Sequence, residues 1–271
     1  MLDGILCYRD AAIMLFGNIK AYISLVIINC IFFALLLLAP VAVHVAMNDT
    51  IGMQSLVVSA LFDVTIFVII NFPMLVIASN AARIDGENRE FAISELLTTG
   101  IPKLQMLSLG AGINFVLFSF YIFLLTMSFT FGGSDTMIAF LAFIMIAETG
   151  LANFIFIYVA ETIKLRNFKT SYNEAKISFH RDPKLIWGFM PVSVLLALTM
   201  CYLVYDFADA FSDIAAVMSN SNAAIDMQHA VLHAMLSAIM LVLLNTLSLA
   251  AKGMLVRRIR IREKEASKYI A

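Results

Sequence analysis

The sequence predicts an all-α, polytopic membrane protein: one domain of six transmembrane helices with both termini in the cytoplasm. Three observations carry that expectation. Of 271 residues, 62% are hydrophobic and only 14% charged, at a mean hydropathy of +0.92, whereas soluble domains carry roughly 25% charged residues. Several charge-poor runs reach the roughly 20 residues with which a helix crosses a bilayer core about 30 Å thick. The basic residues, finally, fall into blocks that a six-span chain puts on one side.

Taken in order, the spans are expected at about 21–47, 55–82, 104–131, 136–160, 185–205 and 230–251. The first, third, fifth and sixth hold no Asp, Glu, Lys or Arg; the second holds Asp63 alone and the fourth Glu148 alone. Gly132-Gly133-Ser134-Asp135 makes a tight turn between the third and fourth. Helices are required because an unclosed sheet would leave backbone groups unsatisfied in hydrocarbon, and the alternation of a membrane barrel strand is absent. Pro73, beside Asn71, marks a kink in the second span.

The segments 1–20, 83–103, 161–184 and 252–271 together hold all 18 Lys and Arg residues. The positive-inside rule makes these the cytoplasmic segments. The net charge of −1 thus hides an asymmetry: a basic inner face suited to anionic headgroups, and an outer face bearing Asp49, Asp135, Asp206, Asp209, Asp213 and Asp226. No cleavable signal is expected, since a polar helix rather than a short basic segment precedes the first span. Cys7, Cys30 and Cys201 are expected as free thiols, Cys7 facing the cytoplasm.

Residues 1–20 read as an amphipathic helix lying in the inner interface, with Leu2, Ile5, Leu6, Ile13, Leu15 and Phe16 set against Asp3, Arg9, Asp10, Asn18 and Lys20. "SYNEAKISFHRDPK", 171–184, does a similar job ahead of the fifth span. At an offset of 164 residues Tyr8 meets Tyr172, Ala11 meets Ala175, Lys20 meets Lys184, and Asn18 falls opposite Asp182. A duplicated lead-in helix and span would leave such a pattern, and so would chance, since the identities are few.

Between the second and third spans, Asp85-Gly86 turns the chain. A short helix follows with apolar Phe91, Ile93, Leu96 and Leu97, ended by Gly100 and Pro102. Its polar residues Glu87, Arg89, Glu90 and Glu95 make it a coupling or docking element for a cytoplasmic partner, or a plain inner-face turn.

Glu148 is the sharpest single residue, because a carboxylate at mid-bilayer costs a few kcal/mol or more unless paired, hydrated or protonated. It reads either as a proton or cation site on a polar path, or as a helix–helix hydrogen bond with Asn114, Asn153 or Asn245. Asp206, Asp209 and Asp213 share one helical face, and Asp226, His229 and His233 repeat the spacing. These last three are weak metal candidates against the plainer reading of a solvated acidic rim, and no metal is expected. The 16 Met residues are scattered as adaptable filler. No nucleophile elbow, phosphate loop, HExxH or CxxC occurs, so no cofactor, nucleic acid or reaction is expected, and energised transport would need another subunit.

"CYRDAAIMLFGNIKAYISLVIINCIF", the 83–103 turn and "SYNEAKISFHRDPKLIWGFMPVSVLL" together resemble the YciC-type inner-membrane proteins, in which a YRD-bearing amphipathic helix precedes span one and polar helices precede spans three and five. The resemblance covers most of the chain and implies a fold and a bacterial inner-membrane location, but no reaction. Locally, "ENREFAISELLTTGIPKLQML" is similar to the coupling region of type-two ABC exporter permeases, roughly E-x-x-x-G-T-L-x-x-L-L-x-T-P. Leu96, Leu97 and Thr99 match, while Phe91, Ala92 and Gly100 depart at its turn-forming positions. Two functions are therefore expected to compete: a non-enzymatic scaffold, membrane-maintenance or transport-associated protein, or a permease subunit, dimeric, docking a separate ATPase through 87–103.

Overall fold

The computed structural model describes residues 2–31, 73–83, 106, 108–113, 116, 153–162, 168–219 and 227–268. Among these residues the regular structure is entirely α-helical. We number the main helices α1 (Leu2–Gly17), α2 (Ile19–Ile31), α3 (73–81), α4 (153–162), α5 (Phe168–Arg181), α6 (Pro183–Ser219) and α7 (Met227–Lys268).

Two of the described helices, α6 and α7, are long and apolar enough to cross a membrane, and α1 with α2 makes a third if that bent pair is one span. At 37 and 42 residues, α6 and α7 run about 55 and 63 Å, well beyond a bilayer core. The expected spans 185–205 and 230–251 are thus the amino-terminal parts of longer rods. The surplus of α6 carries the chain past Asp206 to Ser219, and the surplus of α7 keeps the basic stretch helical to Lys268. Of the other four expected spans, the described residues cover only parts.

The helix boundaries have local causes. Gly17 and Asn18 stop α1, and the Asn18 amide turns back to donate to Met14 O at 2.8 Å. The chain bends by 92° there before α2 starts. Asp182 is the N-cap of α6, its Oδ1 accepting from the Leu185 N–H at 3.2 Å, with Pro183 at the first helical position. Pro191 sits inside α6 on an exposed face.

The two helix–break–helix units correspond in register at the offset of 164. The leading helices end at Gly17 and Arg181, the single break residues are Asn18 and Asp182, and the next helices begin at Ile19 and Pro183. The backbone bond Tyr22 N–H to Asn18 O, 3.0 Å, has its counterpart in Ile186 N–H to Asp182 O, 3.2 Å. Burial follows: Cys7 and Ser171, Ala11 and Ala175, Leu25 and Phe189, and Asn29 and Ser193 are buried, while Ile13 and Ile177, Lys20 and Lys184, and Ile23 and Trp187 are exposed. Tyr8 departs from the pattern, being buried on Phe189 at 4.7 Å between ring centroids where Tyr172 is exposed.

The amphipathic reading of α1 needs correcting. Its inward face is Gly4, Cys7, Tyr8, Ala11, Met14 and Leu15, whereas Leu2, Ile5, Ile13 and Phe16 point away from the protein. Cys7 is likewise buried. On α6 the exposed face runs Trp187, Pro191, Leu195, Leu198 and Tyr202. Its two aromatic ends lie 15 positions apart along the sequence, about 22 Å, as interfacial anchors around an apolar band are.

Packing centres on α7. It lies antiparallel to α6, with Phe207 and Ala210 against Ala234 and Ala238 at one end, while α1 rests on both. The main core joins α3, α4 and α7 through Met74–Ala78, Phe154 and Ile157, and Leu249–Ala251. Tyr22 O–H donates to Leu243 O at 3.1 Å, tying α2 to α7.

Two glycines permit the closest approaches. A Cβ at Gly4 would lie 2.5 Å from Leu185 O and Gly188 C of α6, and one at Gly253 would lie 2.9 Å from Ala81 Cβ of α3, with the Ala78 backbone closer still. Both neighbours are backbone in part and cannot move aside, which is the small-residue packing of membrane helices. Gly4→Ala and Gly253→Ala are each expected to lower stability by about 1–3 kcal/mol. Gly17→Ala, with nothing within 4 Å, is expected to be neutral or slightly stabilising. Thermal unfolding of the three variants in detergent checks the ranking.

Candidate functional site: the charged helix junction

Where α7 leaves its apolar stretch, its side chains turn from Leu and Ala to "RRIRIREKE". Successive residues of a helix point about 100° apart, so a run of charges there meets whatever surrounds the rod on all sides. Arg258 reaches α1, its Nη2 2.7 Å from Asp10 Oδ2 and its Nη1 3.7 Å from Asp3 Oδ1. Arg262 spans two elements, pairing with Asp3 at 2.6 Å and with Asp182 at the break before α6. On the third side Arg260 lies 3.9 Å from Glu161 of α4, and Glu161 also accepts from the Ser79 hydroxyl. Glu263 accepts from Tyr158 O–H at 3.2 Å and from Ser178 of α5.

Each of these five carboxylates is therefore met by an arginine or a hydroxyl. The pairs differ in depth. Arg262 and Asp3 are 43% and 48% exposed at their side chains, whereas Arg260 and Glu161 are 16% and 8% exposed. Exposed pairs contribute about 0–1 kcal/mol; a buried pair adds little net stability, yet removing one half strands a charge.

Partial burial works against the Asp10 carboxylate, but hydrogen bonds from Arg258 and Arg9 outweigh it and hold the carboxyl below its ordinary range. Beside it, burial pushes the Cys7 thiol up to about 12, the Arg258 guanidinium offsetting only part of that rise. Cys7 keeps its proton and donates to Asp3 O at 3.4 Å. A protonated, buried thiol is a poor nucleophile. What this arrangement does chemically is hold four chain segments to one post.

The residues expected from sequence fare differently. Glu148, Asn114, Glu87, Arg89, Glu90, Glu95, Gly100, Pro102 and Asp226 lie outside the described residues. Asn153 is buried in α4. Asn245 makes a contact from Nδ2 to Met74 Sδ at 3.2 Å, joining α7 to α3. At the other end of α6 and α7, the His229 and His233 rings stack at 6.0 Å. His233 Nε2 lies 3.7 Å from Asp206 Oδ1, and Ser237 donates to Asp206. Asp206 thus meets His233 and Ser237 across α6 and α7, while the side chains of Asp209 and Asp213 lie outside the described residues; no group of three metal-ligating side chains forms among the described residues.

Sequence reading missed Glu161, Tyr158, Ser178 and Glu263 as a unit and treated Arg258, Arg260 and Arg262 as a basic tail. The available signal was acid content: Asp3, Asp10, Glu161 and Asp182 all stand in the segments expected on the same side as those arginines. No protein-family model, curated protein or solved structure matches the chain.

Arg260→Met is expected to cost about 3 kcal/mol by stranding Glu161, against about 1 kcal/mol or less for Arg262→Gln. Adding Glu161→Leu to Arg260→Met should recover most of the loss, and a double-mutant cycle on unfolding free energies measures it. The pH dependence has a definite sign. A carboxyl whose folded-state value is depressed stabilises the fold above its ordinary range and loses that contribution as pH falls through the folded value. Stability should therefore drop on acidification below about pH 4, and Asp10→Asn should flatten that drop in a Tm-against-pH series.

Proposed function

We propose that this chain is a non-enzymatic integral membrane protein of six spans with both termini in the cytoplasm, a YciC-like component of a bacterial inner membrane. Its role is that of a scaffold, membrane-maintenance or transport-associated subunit with no reaction of its own. The observation that supports this reading most is the use made of charge. Arginines and carboxylates of the junction face one another and tie α1, α4, α5 and the start of α6 to α7. The side chains pointing outward on α1, α2 and α6 are instead predominantly apolar. Polar chemistry is spent on cohesion, and lipid is the main surface the protein meets.

The competing reading, a permease subunit with an ATPase on 87–103, is separated by one preparation. Purified from its native membrane in mild detergent, the chain is expected to bring lipid and no stoichiometric nucleotide-binding subunit, as identified by mass spectrometry. A stoichiometric ATPase, lost on Glu90→Lys with Glu95→Lys, would overturn the scaffold reading. A carboxy-terminal fluorescent-protein fusion should glow and an alkaline-phosphatase fusion should be silent; the reverse pattern would overturn the orientation.

A further inference from the structure

We propose that the two helix–break–helix units form a paired binding surface for anionic phospholipid headgroups, with Lys20 and Lys184 as the phosphate-facing groups. It rests on the membrane reading above but not on the scaffold role.

The basic side chains among the described residues differ in what they meet. Arg258, Arg260 and Arg262 are taken up by carboxylates of the junction, so the basic stretch of α7 largely neutralises other helices rather than a membrane. The side chains of Lys20 and Lys184 are exposed, and among the described residues neither ammonium group has a hydrogen-bond or ion-pair partner. Arg181, three residues before Lys184 across the break at Asp182, is also exposed.

Their placement repeats. Each lysine stands two residues beyond the break, and each has an outward apolar side chain three positions on: Ile23, 51% exposed, after Lys20 and Trp187, 67% exposed, after Lys184. Phe16, 67% exposed, stands four residues before Lys20, across the 92° bend. A cation flanked by outward apolar groups matches the boundary between headgroups and acyl chains, where the stem lies against hydrocarbon and the ammonium reaches phosphate. Trp187 begins the outward apolar face of α6, so Lys184 sits at the edge of the band that ends at Tyr202. An acidic protein would pair with the charge but would not use the flanking Phe16, Ile23 and Trp187 as a bilayer does. An uncharged headgroup would use the apolar groups and leave the lysines unmatched. Phosphatidylglycerol-type lipids satisfy both.

The test is native mass spectrometry of the delipidated full chain titrated with phosphatidylglycerol and, separately, phosphatidylcholine. Unfolding in nanodiscs of phosphatidylcholine with and without phosphatidylglycerol accompanies it. Wild type should prefer phosphatidylglycerol and unfold at higher temperature when it is present. Lys20→Gln with Lys184→Gln should reduce the preference by about five-fold for each lysine removed, from a surface attraction of about 1 kcal/mol per cation. Lys20→Arg with Lys184→Arg should keep it, and Arg262→Gln, which loosens the junction, should lower Tm without changing it. An unchanged preference in the Gln pair overturns the proposal. So does an acidic protein that co-purifies with wild type and is lost from the Gln pair. Should the Gln pair not fold, a wild-type Tm indifferent to phosphatidylglycerol overturns it. A chain that fails to insert into phosphatidylcholine nanodiscs defeats the membrane reading itself; one that inserts but ignores phosphatidylglycerol defeats only this proposal.

Discussion

The ion pairs around Arg258, Arg260 and Arg262 are the constraint on which the remaining architecture depends. Inside a membrane protein, apolar burial discriminates weakly among helix arrangements, because lipid tails are as apolar as leucine. A charge that must find its counter-charge discriminates strongly. The net gain from a buried pair is small, but an arrangement that leaves Glu161 or Arg260 alone is costly. Asp3 and Asp10 fix where α1 crosses α7, Asp182 fixes where α6 begins, and Glu161 with Ser79 sets the depth of α4 beside α3.

Close packing then fills what the charges position. Gly4 lets α1 lie on the backbone of α6, and Gly253 lets α7 lie on α3. Both glycines are near the junction in sequence, Gly4 next to Asp3 and Gly253 five residues before Arg258. Ionic and steric specification therefore act over the same few turns, while the apolar midsections need only be long enough and greasy enough.

Much of this was legible beforehand. Composition led to the expectation of helices long and apolar enough to cross a membrane, and α6 and α7 are such helices; the offset of 164 residues was visible in the sequence, but the lead-in helices end at Gly17 and Arg181, before the expected 20 and 184. The sixth apolar run sits inside α7 and the fifth inside α6. The ion pairs were not legible, because Arg258 and Asp10 are 248 residues apart in the chain and Arg262 and Asp3 are 259. No local pattern reports such a pairing, so the three arginines counted only toward a basic inner face suited to anionic headgroups. The inward face of α1 was missed for a related reason. Periodicity finds an apolar stripe, but where lipid competes with protein for such stripes, the small residues Gly4, Cys7 and Ala11 mark the protein side and the bulky Leu2, Ile5 and Phe16 the other. Glu148 and the 87–103 helix, the most suggestive features of the sequence, lie outside the described residues and took no part in that comparison.

The unbroken length of α7 has a mechanical consequence. From His229 at one end to Arg262 at the other there is no proline, and a helix without a break bends only gently. The Ala78 backbone presses against it at Gly253, so that contact is a fulcrum, with a long arm toward the His233–Asp206 pair and a short arm bearing the arginines. Any tilt that shifts the far arm is delivered, reduced in amplitude, to the contacts with Asp3, Asp10, Asp182 and Glu161. The His233–Asp206 pair and the arginine junction are in this way joined by one rigid lever, and loosening either end is felt at the other.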